Sequence, residues 1–239
     1  MYTEPIREII AANGINGVGE EEIAKFGELC LAVAEKNKVM NLTAVTEPRK
    51  MALLHIADCL LVSPFLPKNA SVIDVGCGGG FPCLPLAILR PDLRILALDS
   101  TAKKVKFVEE TAETLSLKGV SVLAARAEDT SRKAEYREKF DICLSRAVAS
   151  LPVLTELCLP FVRKGGSFIA MKGEKAEEEI ALAGRAPFTL GGTPFRKEKF
   201  ELCDGDVRYT RFLLFSEKNK PTEKKYPRSF ASISEKPLK

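Results

Sequence analysis

Short apolar runs alternate with helical stretches from residue 71 onward, and this alternation is the main pattern in the chain. Apolar residues are consecutive in these runs and do not alternate with polar ones, as in strands that are covered on both faces of a sheet. Strands separated by helices at this spacing indicate βαβ units with parallel strands and right-handed crossovers. The predicted strands are SVIDVG (71–76), LRILALD (93–99), VSVLAA (120–125), FDICLSR (140–146) and GSFIAMK (166–172). The predicted helices are 82–90, 101–117, 128–138, 151–163 and 174–184.

The two ends of the chain have different patterns. Residues 20–37 place apolar side chains at helical spacing behind a glutamate-rich start, and 49–62 predicts a helix that is apolar on more than one face. Near the other end, the runs 196–203 and 207–215 flank an Asp-Gly turn, which predicts a β-hairpin. We therefore predict an α/β fold with seven mostly parallel strands and a helical cap. The predicted divisions are an N-terminal helical extension (1–68), a sheet domain (69–216) and a basic C-terminal tail (217–239).

Positive charge is concentrated in the tail. The 239 residues carry 36 basic and 32 acidic side chains, and residues 216–239 alone hold seven basic side chains against three glutamates. The rest of the chain is balanced, so it has little long-range attraction for polyanions, whereas the tail could contact phosphate. Its Lys, Pro and Ser content predicts a mobile segment.

Cysteine and histidine usage argues against a metal site. Seven cysteines are scattered without a CxxC pair, and the single histidine, His55, lies on an apolar helix and is expected to be packed in the core. The N-terminal residues lack the basic and apolar regions of a signal peptide, and no apolar run is long enough to span a membrane. We expect a reduced, cytoplasmic protein without a metal.

A glycine-rich turn follows the first predicted strand. Glycines there permit a tight turn and a close approach of a ligand to the backbone. The next strand ends at Asp99, where a carboxylate can accept both hydrogen bonds of a ribose diol. A glycine turn is also a structural need of any doubly wound sheet, but the acidic residues coincide with it here. The candidate binding residues are Asp74, Gly76, Gly78, Gly80, Phe81, Asp99, Ser100 and Thr101.

The turn favours S-adenosylmethionine over a dinucleotide. Counted from Gly76, the third glycine of a GxGxxG fingerprint would fall at Phe81. Asp74 would repel a pyrophosphate, whereas it suits a ligand that carries an ammonium and a sulfonium and no phosphate. The pattern therefore predicts a methyltransferase rather than an NAD enzyme.

Further candidates lie at the ends of the later strands. Ala127 and Glu128 follow the third strand and could contact the adenine, although acidic residues there could equally cap a helix. Arg146 ends the fourth strand and is expected to bind a ligand, and Lys172 holds the comparable position on the fifth. The lysines at 103, 104 and 106 face glutamates at helical spacing, which predicts a solvated, paired surface.

Together these motifs make the chain resemble the RsmG (GidB) family, bacterial methyltransferases that modify guanosine N7 in 16S ribosomal RNA. The resemblance covers roughly residues 38–228. It rests on Asn41-Leu-Thr43, His55-Ile-Ala-Asp58, the glycine turn, Leu98-Asp-Ser100, Ala127-Glu128, Ser145-Arg-Ala147, Lys172-Gly173 and Lys225-Tyr-Pro-Arg228. After that last motif the chain departs from the family, since it continues Ser-Phe-Ala-Ser-Ile-Ser.

The resemblance implies a class I methyltransferase (Rossmann-like) fold, S-adenosyl-L-methionine as cofactor and 16S rRNA, or a precursor of the small ribosomal subunit, as partner. It places cofactor contacts on Gly76, Phe81, the 99–101 turn, Ala127, Glu128 and Arg146. Arg146 is also the candidate catalytic residue, because N7 methylation needs alignment rather than a general base. The candidate RNA contacts are Asn41, Lys172, Lys224, Lys225 and Arg228.

Two other functions remain open from the residues. The chain could methylate a protein or a small molecule, or it could bind RNA and the cofactor without turnover during ribosome assembly. The tail could also be a solubilising end, or its Tyr226 and Pro227 could pack on the sheet.

Overall fold

A seven-stranded sheet forms the centre of the structure, a computed structural model that describes residues 1–239. Its strands are β1 (Ser71–Val75), β2 (Arg94–Asp99), β3 (Val120–Ala124), β4 (Phe140–Arg146), β5 (Val162–Lys172), β6 (Arg196–Asp204) and β7 (Val207–Glu217). Their order is β3-β2-β1-β4-β5-β7-β6. Strands β1 to β5 are parallel, and β7 runs antiparallel to both β5 and β6. The predicted strands and the hairpin are confirmed.

Helices cover both faces of this sheet. They are α1 (Thr3–Ala12), α2 (Glu20–Met40), α3 (Pro48–Met51), α4 (Asp58–Leu60), α5 (Cys83–Leu89), α6 (Ala102–Thr114), α7 (Ala127–Thr130), α8 (Leu151–Cys158), α9 (Ala176–Ala183), α10 (Ala186–Thr189) and α11 (Phe230–Glu235). A π-helical stretch, Ala52–Ala57, joins α3 to α4. None of these helices has the length and hydropathy that a membrane span requires.

Two apolar clusters form the core, one on each face of the sheet. On one face, α1, α2, α5 and α6 pack against the sheet through residues such as Ile6, Phe26 and Phe107. On the other face, α8, α9 and α11 contribute residues such as Leu154 and Ile233. The apolar character of the central strands β1 and β4 follows from this double coverage, because both of their faces are buried, whereas the edge strands β3 and β6 are largely exposed or half-buried.

The N-terminal helices are tied to the hairpin edge of the sheet. Asn13, at the end of α1, donates from Nδ2 to the Cys203 carbonyl at 3.0 Å, and its Oδ1 accepts from the Cys203 N–H at 2.7 Å. The unpaired edge of β6 is thus partly covered, which limits pairing with other chains. The helical cap is confirmed, while the boundaries at residues 68 and 216 stay predictions.

One predicted helix is much shorter than expected. The helix predicted over 128–138 corresponds to α7, which ends at Thr130. Beyond this helix, the chain is bonded to the C-terminal segment. The Arg137 side chain donates to the carbonyls of Thr222, Glu223 and Tyr226 at 2.8–3.2 Å. Residues 131–138 form a series of turns with local backbone hydrogen bonds, such as Arg137 N–H to the Lys133 carbonyl at 2.9 Å, and not a continuous helix.

The prediction of a mobile tail is wrong. Lys218 and Thr222 are buried, and so is Tyr226, which packs in the second apolar cluster. Arg228 reaches the fully buried carboxylate of Glu156. The segment ends in α11, whose Ile233 is completely buried. The alternative in which Tyr226 packs on the body of the protein describes the structure.

Candidate functional site

The glycine turn lies at the carboxyl end of β1, where the strand order reverses between β1 and β4. Gly76, Gly78 and Gly80 have φ angles of 81°, 54° and 92°, a region that favours glycine. A β-carbon on Gly76 would lie 2.3 Å from Val148, whereas one on Gly78 would meet only the Gly76 carbonyl at 3.9 Å. The backbone at Gly78 is therefore open to a ligand. Ligands of open α/β sheets bind at this position in the topology.

Asp99 joins the turn to the second strand. Its Oδ2 accepts the Gly78 N–H at 3.1 Å, and its Oδ1 accepts the Thr101 N–H at 2.8 Å. Each carboxylate oxygen can accept more than one hydrogen bond, so capacity for a ligand hydroxyl remains. The two backbone donors fix the carboxylate, which reduces the entropy lost when a diol binds.

Two adjoining cavities meet at this carboxylate. A cavity of about 150 Å³ lies between the ends of β2 and β3, and one of about 390 Å³ lies over the glycine turn. Gly76, Asp99, Ser100 and Val148 line both of them. The smaller cavity has mostly apolar walls, including Leu98, Ala125, Ala127, Leu157 and Phe230, together with the buried Glu128. The larger cavity is lined by Leu42, His55, Cys77, Gly78, Gly79, Phe81, Thr101, Lys104, Arg146 and Ala147.

Arg146 is held in place before any ligand arrives. Its Nη1 donates to the Leu54 carbonyl at 2.8 Å and to Asp58 Oδ2 at 3.0 Å. The other oxygen of Asp58 accepts from Arg211 at 3.1 Å, so one carboxylate faces two guanidinium groups and net positive charge remains. Arg146 Nε is buried and has no hydrogen-bond partner, so one donor is unsatisfied in a side chain that lines the larger cavity.

An aromatic stack supports this arginine. The rings of His55 and Phe81 are stacked with centroids 4.6 Å apart, and the Arg146 guanidinium lies 5.7 Å from the Phe81 centroid. His55 Nε2 is 2.7 Å from Thr43 Oγ1. Burial and the positive charge of Arg146 lower the pKa of His55 to about 4, so the ring is neutral at pH 7. His55 is buried as predicted, but it also forms part of the cavity wall.

The backbone bends sharply just after this arginine. Ala147 has a φ of 56°, which costs a residue with a β-carbon of the order of 1 kcal/mol. Such strain persists only where the surroundings impose it, and it is common at binding sites. The bend brings Ala147 and Val148 into the cavity wall.

Asp74 is not at the cavity surface. Its side chain is completely buried, and Oδ2 accepts the Cys83 N–H at the start of α5 at 3.2 Å, where a carboxylate suits the helix dipole. Oδ1 has no partner, and burial raises the pKa of Asp74 to about 7. The expected contact of Asp74 with the cofactor is therefore corrected, and so is that of Gly80, whose missing β-carbon leaves room for Leu84.

The structure brings the other predicted cofactor residues together. All of them line at least one of the two cavities: Gly76, Gly78, Phe81, Asp99, Ser100, Thr101, Ala127, Glu128 and Arg146. Asn41 ends α2 in the left-handed conformation and directly precedes Leu42 at the mouth of the larger cavity.

Two of the predicted RNA contacts are engaged inside the protein instead. The Lys172 ammonium donates to the Ala149 carbonyl at 2.8 Å and to Glu179 at 2.7 Å, and its side chain is only 8% exposed. Arg228 is bound to Glu156. These contacts correct the expectation that both side chains are free for RNA. Lys224 and Lys225 are exposed, with Lys225 paired to Glu223 at 2.9 Å.

Some wall residues were missed by sequence reasoning. Lys104 lines the larger cavity, whereas the lysine run was interpreted as a solvated surface; Lys106 does pair with Glu110 at 3.7 Å. Val148 lies two residues after Arg146, so its position was open to prediction from the strand end. Phe230 lies more than 80 residues further along the chain, and no local pattern connects it with the site.

The donor set fits S-adenosylmethionine. An apolar cavity suits an adenine ring, Asp99 at the junction suits a ribose diol, and the second cavity offers an open glycine backbone with an orphaned arginine N–H. An uncharged base at one end and a carboxylate-bearing chain at the other match these walls.

Comparisons with known proteins identify the family to which the chain is similar. The model of the family described as "rRNA small subunit methyltransferase G" (GidB) matches residues 22–204. A protein of Clostridium botulinum (strain Loch Maree) named ribosomal RNA small subunit methyltransferase G is 44% identical over 209 residues, 87% of each chain. A protein of the same name from Halalkalibacterium halodurans is 40% identical over 240 residues, covering both chains completely.

Solved structures share the fold at low identity. A SAM-dependent O-methyltransferase from Thermotoga maritima superposes with a TM-score of 0.53 at 14% identity, covering 80% of this chain and 72% of that one. TYW2 of M. jannaschii, in complex with AdoMet, gives a TM-score of 0.53 at 16% identity over 69% of this chain and 82% of that one. The fold is therefore that of class I methyltransferases.

Proposed function

The chain belongs to the rRNA small subunit methyltransferase G family, and from this premise we propose that it methylates N7 of a guanine in 16S ribosomal RNA with S-adenosylmethionine as methyl donor. The cofactor class follows from the family and from the walls of the two cavities. We propose further that the modified base lies in the RNA of the small subunit and that the protein acts in the cytoplasm.

The observation that carries the proposal is the junction of the two cavities at Asp99. Four residues line both cavities, so a single elongated ligand can occupy the two at once. Leu98, Ala125 and Ala127 would hold the adenine, Asp99 the ribose, and the backbone near Gly78 together with Arg146 the methionine end. Cavities that contain a few polar groups among apolar walls orient such ligands.

Methyl transfer to guanine N7 requires little chemistry from the side chains. When bound, S-adenosylmethionine supplies a methyl group on a positively charged sulfur, a strong electrophile. Guanine N7 carries a lone pair and no proton, so this chain needs no general base at the acceptor atom. Its residues bind the base, orient it and exclude water, and alignment of this kind is worth up to about 7–11 kcal/mol. The neutral His55 is consistent with this, because it adds no second positive charge beside Arg146.

Arg146 can orient the base only if N7 stays free. A bidentate contact to guanine O6 and N7 would occupy the attacking atom. Arg146 Nη1 already donates to the Leu54 carbonyl and to Asp58, which restricts a bidentate contact of the guanidinium with the base. A single donor, such as Nε, can bind O6, a phosphate or the carboxylate of the cofactor.

Methyl transfer to purified 16S rRNA tests the proposal. The full chain is incubated with S-adenosylmethionine labelled on the methyl group, and the labelled nucleoside is identified by mass spectrometry. We expect N7-methylguanosine, and Arg146→Lys should lose most activity while it binds the cofactor, because an ammonium cannot copy the planar fork. Label in protein or in a small molecule would support another substrate class, and cofactor binding without transfer would indicate a non-catalytic assembly factor.

A further inference from the structure

The smaller cavity has one wall that comes from the C-terminal segment. Its other walls are strand ends, the segments that follow them and Leu157 of α8, whereas Phe230 belongs to α11. The Phe230 side chain remains 41% exposed although it is a large aromatic group. A ring that stands partly exposed at the mouth of a cavity has apolar surface left for a ligand to cover.

The chain holds Phe230 in this position from both sides. Two residues before it, Arg228 is bound to the buried Glu156 through its backbone N–H at 2.8 Å and through Nε and Nη2 at 2.6–3.2 Å. Three residues after it, Ile233 is completely buried in the second apolar cluster. The Ser229 hydroxyl caps α11 by accepting the Ser232 N–H at 3.4 Å. The backbone on both sides of Phe230 is therefore anchored without a ligand.

Phe230 is also in contact with the turn after β3. The Arg126 guanidinium lies 5.9 Å from the centroid of its ring, within the range of a cation–π contact. Arg126 itself lines the smaller cavity next to Ala125 and Ala127. The ring thus continues the wall that these residues form.

We propose that Phe230 contacts the adenine of the bound cofactor and is a binding determinant that the C-terminal segment adds to the glycine-turn site. This inference rests on the proposed function for the identity of the ligand. The ring and its alanine and leucine neighbours suit the faces of a planar, uncharged base, while Arg126 and Glu128 are the charged residues of this wall. The segment that carries most of the net positive charge therefore also contributes to the cofactor site.

Calorimetry with two adenosyl ligands tests this role. The probes are S-adenosylhomocysteine and 5′-methylthioadenosine, which share the adenosine and differ in the amino-acid end. Base–aromatic stacking typically accounts for a 5- to 150-fold change in affinity, and a half-exposed ring should lie near the lower end. We expect Phe230→Ala to raise the Kd for both ligands about five- to tenfold, and Phe230→Tyr to keep it within about twofold.

A matched control distinguishes loss of the cavity wall from loss of any exposed aromatic ring. Phe188 is also an exposed phenylalanine, at 58%, but it contacts Arg185 and Lys220 and lines neither cavity. Phe188→Ala should bind both ligands as the unmodified protein does, and thermal unfolding of each variant verifies that it is folded. Unchanged affinity in folded Phe230→Ala, or a loss for S-adenosylhomocysteine alone, would overturn the role of Phe230. If the unmodified protein bound neither ligand, the proposed function itself would fail.

Discussion

Removal of the Arg228 side chain should destabilise the whole protein. Its guanidinium is the partner of Glu156, whose side chain is completely buried, with Nη2 to Oε2 at 2.6 Å and Nε to Oε1 at 2.9 Å. Arg228→Ala leaves that carboxylate without its counter-charge, and loss of one partner of a buried pair costs about 3–5 kcal/mol. Because the arginine side chain is 28% exposed, water can partly replace it, and we expect about 3 kcal/mol.

Urea unfolding followed by circular dichroism measures this change in the free energy of unfolding. In a thermal unfolding experiment on a chain of this size, 3 kcal/mol corresponds to a fall of about 6–12 °C in Tm. Lys224→Ala is the matched control, because Lys224 belongs to the same segment, is exposed and makes no ion pair. Adding Glu156→Gln to Arg228→Ala should recover part of the loss, since it removes the unpaired charge. Equal unfolding midpoints for Arg228→Ala and Lys224→Ala would refute the reasoning.

Three further predictions follow from the site and the tail. Asp99→Ala should weaken S-adenosylmethionine binding by about 1–3 kcal/mol in calorimetry, because charge-assisted hydrogen bonds to the ribose are lost; unchanged affinity would remove Asp99 from the site. Asp74 has a pKa of about 7 in the folded protein, so the folded state binds more protons than the unfolded state between about pH 4 and pH 7. The free energy of unfolding should therefore fall by up to about 4 kcal/mol as pH rises through this window, relative to Asp74→Asn, and parallel curves for the two proteins would contradict this. Replacing Lys224 and Lys225 with Ala should flatten the slope of log RNA affinity against log salt by about 1.4–1.8 if both contact phosphates, with cofactor affinity unchanged; an equal slope would exclude them.

The sheet was predictable because its information is local. Each of the parallel strands is a short, mainly apolar segment, and the hairpin is marked by Gly205 between two aspartates. The glycine turn and Asp99 are local in the same sense, since each follows directly from the end of a strand. For these elements the pattern of apolar and polar residues predicts the observed structure.

The tail was mispredicted because its partners are distant in sequence. Arg228 and Glu156 are 72 residues apart, and a count of charges treats both as free. Contacts distant in sequence also hold the segment where the helix over 128–138 was predicted, because the Arg137 side chain donates to the carbonyls of Thr222 and Tyr226 in the tail. Phe230 was missed for the same reason: its role depends on where those contacts place it. Lys172 was assigned by position alone, which does not reveal that Glu179 neutralises it.

Mass mapping of 16S rRNA nucleosides tests the central claim most directly. RNA from cells that lack this protein is compared with RNA from cells in which the gene is restored, either unmodified or as Asp99→Ala. We predict that one N7-methylguanosine disappears from 16S rRNA in the deletion, returns with the unmodified protein and returns in reduced yield with the variant. An N7-methylguanosine content that is the same in all of these cells would contradict the account.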